Sequence, residues 1–207
     1  MNSSDQATVK EYAHLASIYD QRWSDYVEAT IQETIERLQL NPQGKILDLA
    51  CGTGTLLDHL LNFVPAENLY GIDVSSEMLT VAREKLPTTV NLSIGEANHL
   101  PFPHESFEQV ISISSFHYFR RSKKALQEVQ RILKPRGRLI ITDWCRDFFT
   151  TRCLDQYLRW FNQAHYYTYS SQELQDLLKQ EKFKDVAVES YKINWFWGIM
   201  TAKAVKE

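Results

Sequence analysis

Lys45-Ile46-Leu47-Asp48-Leu49-Ala50-Cys51-Gly52-Thr53-Gly54-Thr55-Leu56-Leu57 decides the fold of this chain. Its first five residues form a short apolar run, the pattern of a strand buried on both faces. Two glycines make a tight turn, and from Thr55 the apolar residues follow a helical spacing. A helix that starts there aims its free N–H groups at the turn. In an α/β fold that junction is the usual seat of a nucleotide-like cofactor.

The rest of the chain repeats the alternation. Strand patterns at residues 68–74, 90–94, 107–114 and 138–142 are separated by helical patterns at residues 55–63, 75–86 and 123–133, with a turn at Pro135-Arg136-Gly137. This is the order of a largely parallel sheet with helices on both faces. Two more strand patterns, residues 186–191 and 195–204, have no helix between them and should pair antiparallel at one edge. Ahead of the first strand lie two helical patterns, one on Tyr12, Leu15, Tyr19, Trp23 and Tyr26, the other on Val27, Ile31, Ile35 and Leu38, stopped by Asn41-Pro42 and Gly44. Residues 148–161 are rich in aromatics, and Ser170-Ser171-Gln172-Glu173 carries the signature of a helix start.

The bulk numbers narrow the partners. A length of 207 residues suits one domain, and 43% hydrophobic content suffices for its core. A net charge of -3, with Lys and Arg dispersed, gives no electrostatic case for nucleic acid. Cys51, Cys145 and Cys153 show neither disulfide nor zinc spacing, so no metal is expected and a reducing compartment fits. Residues 1–10 lack the apolar run of a secretory signal, and no window has the length of a membrane span. The expectation is a cytoplasmic protein without an integral membrane segment, as monomer or homodimer.

The turn then selects among cofactors. A dinucleotide turn needs a third glycine where Leu57 stands, and a P-loop needs a Gly-Lys pair that is missing. About 20 residues on, Asp73 ends the second strand, where a carboxylate can accept both hydroxyls of a ribose. A cofactor with a ribose but no phosphate grip remains, and S-adenosylmethionine is the candidate.

The stretch Asp48-Leu49-Ala50-Cys51-Gly52-Thr53-Gly54 resembles the first motif of class I S-adenosylmethionine-dependent methyltransferases, with Ala50 in place of the first glycine of the strictest pattern. Tyr70-Gly71-Ile72-Asp73-Val74-Ser75 resembles the second motif. Gly95-Glu96-Ala97-Asn98-His99-Leu100-Pro101-Phe102 resembles the third, with Glu96 where aspartate is common. The subgroup most similar contains the ubiquinone and menaquinone biosynthesis methyltransferases. The resemblance implies a Rossmann-like, doubly wound seven-stranded α/β sheet, mostly parallel with an antiparallel edge strand. It also implies an N-terminal helical cap or lid over residues 1–40 and a methyltransferase domain over residues 41–207. The implied activity is methyl transfer to a small-molecule acceptor, with S-adenosylhomocysteine as product.

The same resemblance assigns roles. Asp48 would serve the turn and the methionyl amine, and Ala50 and Gly52, with Gly54, would bring the backbone to the cofactor. Asp73 would take the ribose. Val74 and Met78 would pack near the adenine, whose edge Glu96 and Ala97 would read. Ser114, ending the fourth strand, and Tyr19, as a lid tyrosine, would contact the cofactor. His117 lies just past the fourth strand, where a base could take a proton from the acceptor. Trp144, His165 and Tyr166 fall where the family inserts substrate-binding elements, and an aromatic or apolar acceptor would suit them. Two other readings compete: a nucleotide-cofactor oxidoreductase and a non-catalytic S-adenosylmethionine-binding regulatory domain. A nucleic-acid methyltransferase would carry an Asn/Asp-Pro-Pro-Tyr type of motif where Ser114-Ser115-Phe116-His117 stands.

Overall fold

A computed structural model describes Ala13, residues 15–162 and residues 164–207. Tyr12, the first member of the expected aromatic face, lies outside the described residues. A single turn of helix, α1 (Tyr19–Arg22), leads into α2 (Ser24–Glu36). The alternation follows as β1 (Ile46–Leu49), α3 (Thr55–Leu60), β2 (Leu69–Asp73), α4 (Ser76–Lys85), β3 (Asn91–Ile94), β4 (Phe107–Ile113), α5 (Ser122–Ile132) and β5 (Leu133–Trp144). The last third adds α6 (Phe149–Phe161), α7 (Ser171–Gln180), β6 (Lys184–Lys192) and β7 (Gly198–Val205).

The seven strands form one sheet in the order β3-β2-β1-β4-β5-β7-β6. β1 pairs in parallel with β2 and with β4, and chain order reverses between β1 and β4. β7 runs antiparallel between β5 and β6, because the link of residues 193–197 is too short for a crossover. Alternation along β1 divides the core. Leu47 and Leu49 join Val110, Leu139 and the inward faces of α5 and α7, whereas Ile46 joins Ile111, Ile140 and the inward faces of α2, α3 and α4. On α5, Leu126, Val129 and Ile132 are almost fully buried, each contributing roughly 1.5–3 kcal/mol.

Hydroxyls fix α2 across the sheet. Thr34 Oγ1 donates to Thr142 Oγ1 at 2.8 Å, Thr142 and Thr201 share a bond of 2.9 Å, and Tyr191 reaches Thr201 at 2.7 Å. The start of α7 carries the full capping box: Ser170 Oγ accepts from the N–H of Glu173, and the Glu173 carboxylate accepts from the N–H of Ser170.

Several segments differ from the sequence-based boundaries: the helical break falls at Trp23, so Tyr26 belongs to α2 with Val27, and β7 begins at Gly198 and not at residue 195. α3 ends at Leu60, and turns carry the chain on to Phe63. Pro135-Arg136-Gly137 does not separate α5 from β5. Leu133 pairs with Phe107 and Arg138 with Gln109, so residues 134–137 stand opposite Glu108 alone as a bulge, with Arg136 at φ 61°. The Lys134 ammonium bonded to Glu108, and Lys206 N–H donating to the Gly137 carbonyl, hold the bulge in the sheet.

Candidate cofactor and acceptor cleft

The carboxyl ends of β1, β2 and β4 open into one cleft at the point where strand order reverses. It encloses about 1280 Å³ of empty space, counting the part open to solvent. Tyr19 of α1 and Val27, Thr30 and Ile31 of α2 form a wall opposite the strand ends.

The glycine turn is shaped by hydrogen bonds to its neighbour strand. The N–H groups of Ala50 and Cys51 both donate to the Ile72 carbonyl, at 2.8 and 3.1 Å, which bends the chain over the end of β2. Ala50, Gly52 and Gly54 take φ of 64°, 52° and 77°. A Cβ on Gly52 would meet no atom within 4 Å, so it is the left-handed backbone that requires glycine there. A Cβ on Gly54 would come within 2.7 Å of Leu86 Cδ1, so that glycine lets α3 pack against α4. Asp73 braces the turn: Oδ2 accepts from the N–H of Gly52 at 2.8 Å and Oδ1 from the N–H of Ser75 at 2.9 Å. Ser75 in turn caps α4 through the N–H of Met78.

Asp48 lies beneath this turn, only 3% exposed. Its carboxyl has no hydrogen-bond or ion-pair partner among the described residues. Burial, with the charge of Asp73 adding to it, pushes its pKa up to about 8. Burial also raises Asp73, against the lowering effect of its N–H donors. The Cys51 thiol is raised well above its usual range by burial, which makes it a packing group and not a nucleophile. Tyr19, buried beside Asp20 and Asp73, is pushed up to about 12 by burial first and by those two charges.

Asp20 fastens the N-terminal segment onto the turn. Its Oδ1 accepts from Thr53 Oγ1 at 2.6 Å and Thr55 Oγ1 at 3.3 Å, while Oδ2 pairs with the Lys85 ammonium at 2.5 Å. On the far side of the cleft, Glu96, Ala97 and Asn98 follow β3, and Asn98 Oδ1 is buried without a hydrogen-bond partner among the described residues.

Tyr19, Asp48, Ala50, Gly52, Asp73, Val74, Met78, Glu96, Ala97 and Ser114 all line this cleft. Gly54 does not, for the packing reason above. His117 also stands apart. It is 1% exposed, with Nδ1 2.6 Å from Asp143 Oδ1 and its ring stacked on Trp144 at 4.1 Å; Nε2 is buried with no partner among the described residues. The short turn of Phe116–Tyr118 carries its ring behind Tyr118, which faces the cleft instead.

Trp144, His165 and Tyr166 lie outside the cleft lining as well. Trp144 is sandwiched between His117 and Trp197, with Nε1 donating to Tyr26 Oη at 2.9 Å. His165 is buried against Asp155 at 2.8 Å, and Tyr166 sits at the surface under the Arg120 guanidinium. Sequence reasoning missed the wall from Val27 to Ile31 and the rim of Ser115, Phe119 and Arg120. The rim adjoins Ser114 in sequence, so position was an available signal. The wall residues read only as helix core.

Comparison with known proteins agrees with this geometry. A family model described as "Methyltransferase domain" matches residues 47–141. Demethylmenaquinone methyltransferase of Thermotoga maritima is 37% identical over 106 residues, which are 51% of this chain and 45% of that protein. The chloroplastic 2-methyl-6-phytyl-1,4-hydroquinone methyltransferase 1 of Oryza sativa subsp. japonica is 25% identical over 203 residues, 91% of this chain and 56% of that one. The chain spans about half the length of the curated relatives it matches. Among solved structures, an S-adenosylmethionine-dependent methyltransferase of Thermotoga maritima superposes with a TM-score of 0.79 at 20% identity, covering 96% of this chain and 99% of that one. That likeness shows the fold.

Residues 47–141 thus match the methyltransferase-domain family in sequence, and the chain shares the fold of S-adenosylmethionine-dependent methyltransferases. Within that class its resemblance runs to the ubiquinone and menaquinone biosynthesis subgroup.

Proposed function

We propose that this protein transfers a methyl group from S-adenosylmethionine to a small aromatic or apolar acceptor. The observation that carries the proposal is the buried, unpartnered carboxyl of Asp48 beneath a turn of left-handed backbone. A buried carboxylate without a counter-charge is costly, and a ligand ammonium placed there would remove the cost. S-adenosylmethionine brings such a group on its methionyl end, and a ribose for the carboxylate already fixed at the end of β2.

When bound, S-adenosylmethionine supplies a methyl group activated on a sulfonium, so the protein's work is to bind, orient and exclude water. Asp48 would hold the amine, and the backbone of Ala50 and Gly52 would serve the methionyl part. Asp73, whose oxygens accept from the N–H groups of Gly52 and Ser75, would take the ribose hydroxyls on its remaining lone pairs. Val74 and Met78 would pack near the adenine, Glu96 and Ala97 would address its edge, and Ser114 would contact the cofactor from the end of β4. Helices α1 and α2 act as a cap, with Tyr19 as its ring on the cleft side. Val27, Ile31, Ile113 and Phe119 give the acceptor an apolar wall. The names of the two quinone-directed relatives support a ring acceptor of this kind.

A calorimetric titration with S-adenosylmethionine and with S-adenosylhomocysteine tests the first half of this reading. Both should bind the wild type, and Asp73→Ala should weaken both. If neither ligand binds, the proposal fails. Incubation with methyl-labelled S-adenosylmethionine and a metabolite extract then identifies the acceptor as a product heavier by one methyl group.

A further inference from the structure

Helix α6 is built inside out. Its inward positions include Thr151 and Asp155, both buried, with Asp155 holding His165 and the N–H of Thr168. Its outward face carries large rings: Phe149 is 70% exposed, Tyr157 59%, Trp160 75% and Phe161 71%. Phe149, Cys153, Tyr157 and Phe161 recur every fourth residue, so they form one ridge. Tyr157 and Phe161 stack on each other at 4.9 Å. A helix in a folded domain ordinarily turns such a ridge to the core. Here the ridge is left bare.

The neighbouring hairpin extends the ridge. Thr150 Oγ1 donates to the Phe196 carbonyl at 2.5 Å, which places the β6–β7 link beside the start of α6, and Trp195 on that link is 79% exposed. Charge marks the kind of partner. The whole chain is net negative, yet α6 exposes no acid, since Asp155 is inside. Arg152 on α6 and Lys192 beside the hairpin link touch only rings, those of Phe149 and Phe148, and neither has a carboxylate partner among the described residues. Exposed Trp, Phe and Tyr flanked by unpaired cations form the kind of surface that lies in a lipid interface. The loop leaving α6 reaches the cleft rim, where Arg120 covers Tyr166 at 5.3 Å.

We propose that the outward face of α6, with Trp195, docks this protein on an anionic lipid membrane, holding the rim of the cleft toward the bilayer. Rings enter the headgroup–acyl boundary, and Arg152 and Lys192 meet lipid phosphates. The proposal does not depend on the identity of the acceptor or on turnover.

Co-sedimentation of the full chain with vesicles tests it, using phosphatidylcholine alone and phosphatidylcholine mixed with phosphatidylglycerol. The wild type should bind the mixed vesicles, less so at high salt, with a blue shift of tryptophan emission. Trp160→Ser combined with Phe161→Ser should cut partitioning by at least about tenfold, and Arg152→Glu should reduce the salt-sensitive part. All these side chains are exposed, so far-UV circular dichroism and cofactor titration should match the wild type and exclude misfolding. Absence of binding to the mixed vesicles, or binding unchanged in the double variant, overturns the proposal. Self-association that the double variant abolishes also overturns it, because the face would then belong to a second copy of the chain.

Discussion

At the ends of β1, β2 and β4 the protein presents main-chain groups in left-handed conformations and two buried carboxyls. At the same end of β5 and β7 it presents rings: Trp144, Trp197, Phe148 and the bare ridge of α6. The first region recognises by fixed N–H groups and charge, which need a narrow set of residues in a narrow geometry. The second relies on ring area, which many residues can supply in many orientations. A change on one side should therefore leave the other nearly untouched.

Asp48→Asn should have the largest effect and should fall on the cofactor side alone. Losing the charge opposite a buried ammonium costs about 2–5 kcal/mol, so cofactor affinity should drop by at least about thirtyfold in calorimetry. The same variant should alter the unliganded protein's pH dependence in a stated direction. Because the folded carboxyl titrates near 8, above its ordinary value of 3.8, its contribution to stability is complete below the ordinary value and is lost as pH rises through about 8. Wild-type melting temperature should fall over that window, and Asp48→Asn should flatten the fall. A variant that binds the cofactor normally would break the comparison.

Gly198→Ala probes the ring side. An added Cβ would sit 2.1 Å from Phe148 Cδ2 and 2.6 Å from Phe148 Cβ, too close for a rotamer change to relieve. Overpacking of this kind costs about 1–3 kcal/mol, visible in denaturant unfolding, while cofactor affinity should stay within about twofold of wild type. Ala50→Gly should give the smallest effect. Alanine at φ 64° carries roughly 1–2 kcal/mol of strain, and glycine returns about 0.4–1 kcal/mol of that through the unfolded chain. A net gain of about 0.5 kcal/mol in unfolding free energy, with cofactor binding retained, would show that the turn needs the conformation and not the methyl group.

The glycine turn and part of the lining of its cleft were legible in the sequence because their constraints are written in residue type. Only glycine suits Gly52 without cost, and the acid ending β2 is required at that place because it braces the turn. The ring side was not legible for a related reason. Phe148 and Phe149 are adjacent and identical, yet one packs onto Gly198 and the other meets solvent. His117 stands where a base was expected, but whether its ring enters the cleft depends on Ser114 at φ 50° and on the tight turn after it. Asp143, which takes both the N–H and Nδ1 of His117, lies on another strand and holds the ring inward. Likewise Pro135-Arg136-Gly137 has the composition of a turn, but sheet pairing on both flanks absorbs it as a bulge.

The clasp made by Asp20 has a consequence for the N-terminal segment. Thr53, Thr55 and Lys85 tie the N-terminal segment to the glycine turn, so that segment can lift from the turn only when the clasp opens. The Lys85–Asp20 link is partly exposed to solvent, so dissolved salt loosens it. Ionic strength would then set how firmly the N-terminal segment is held against the turn.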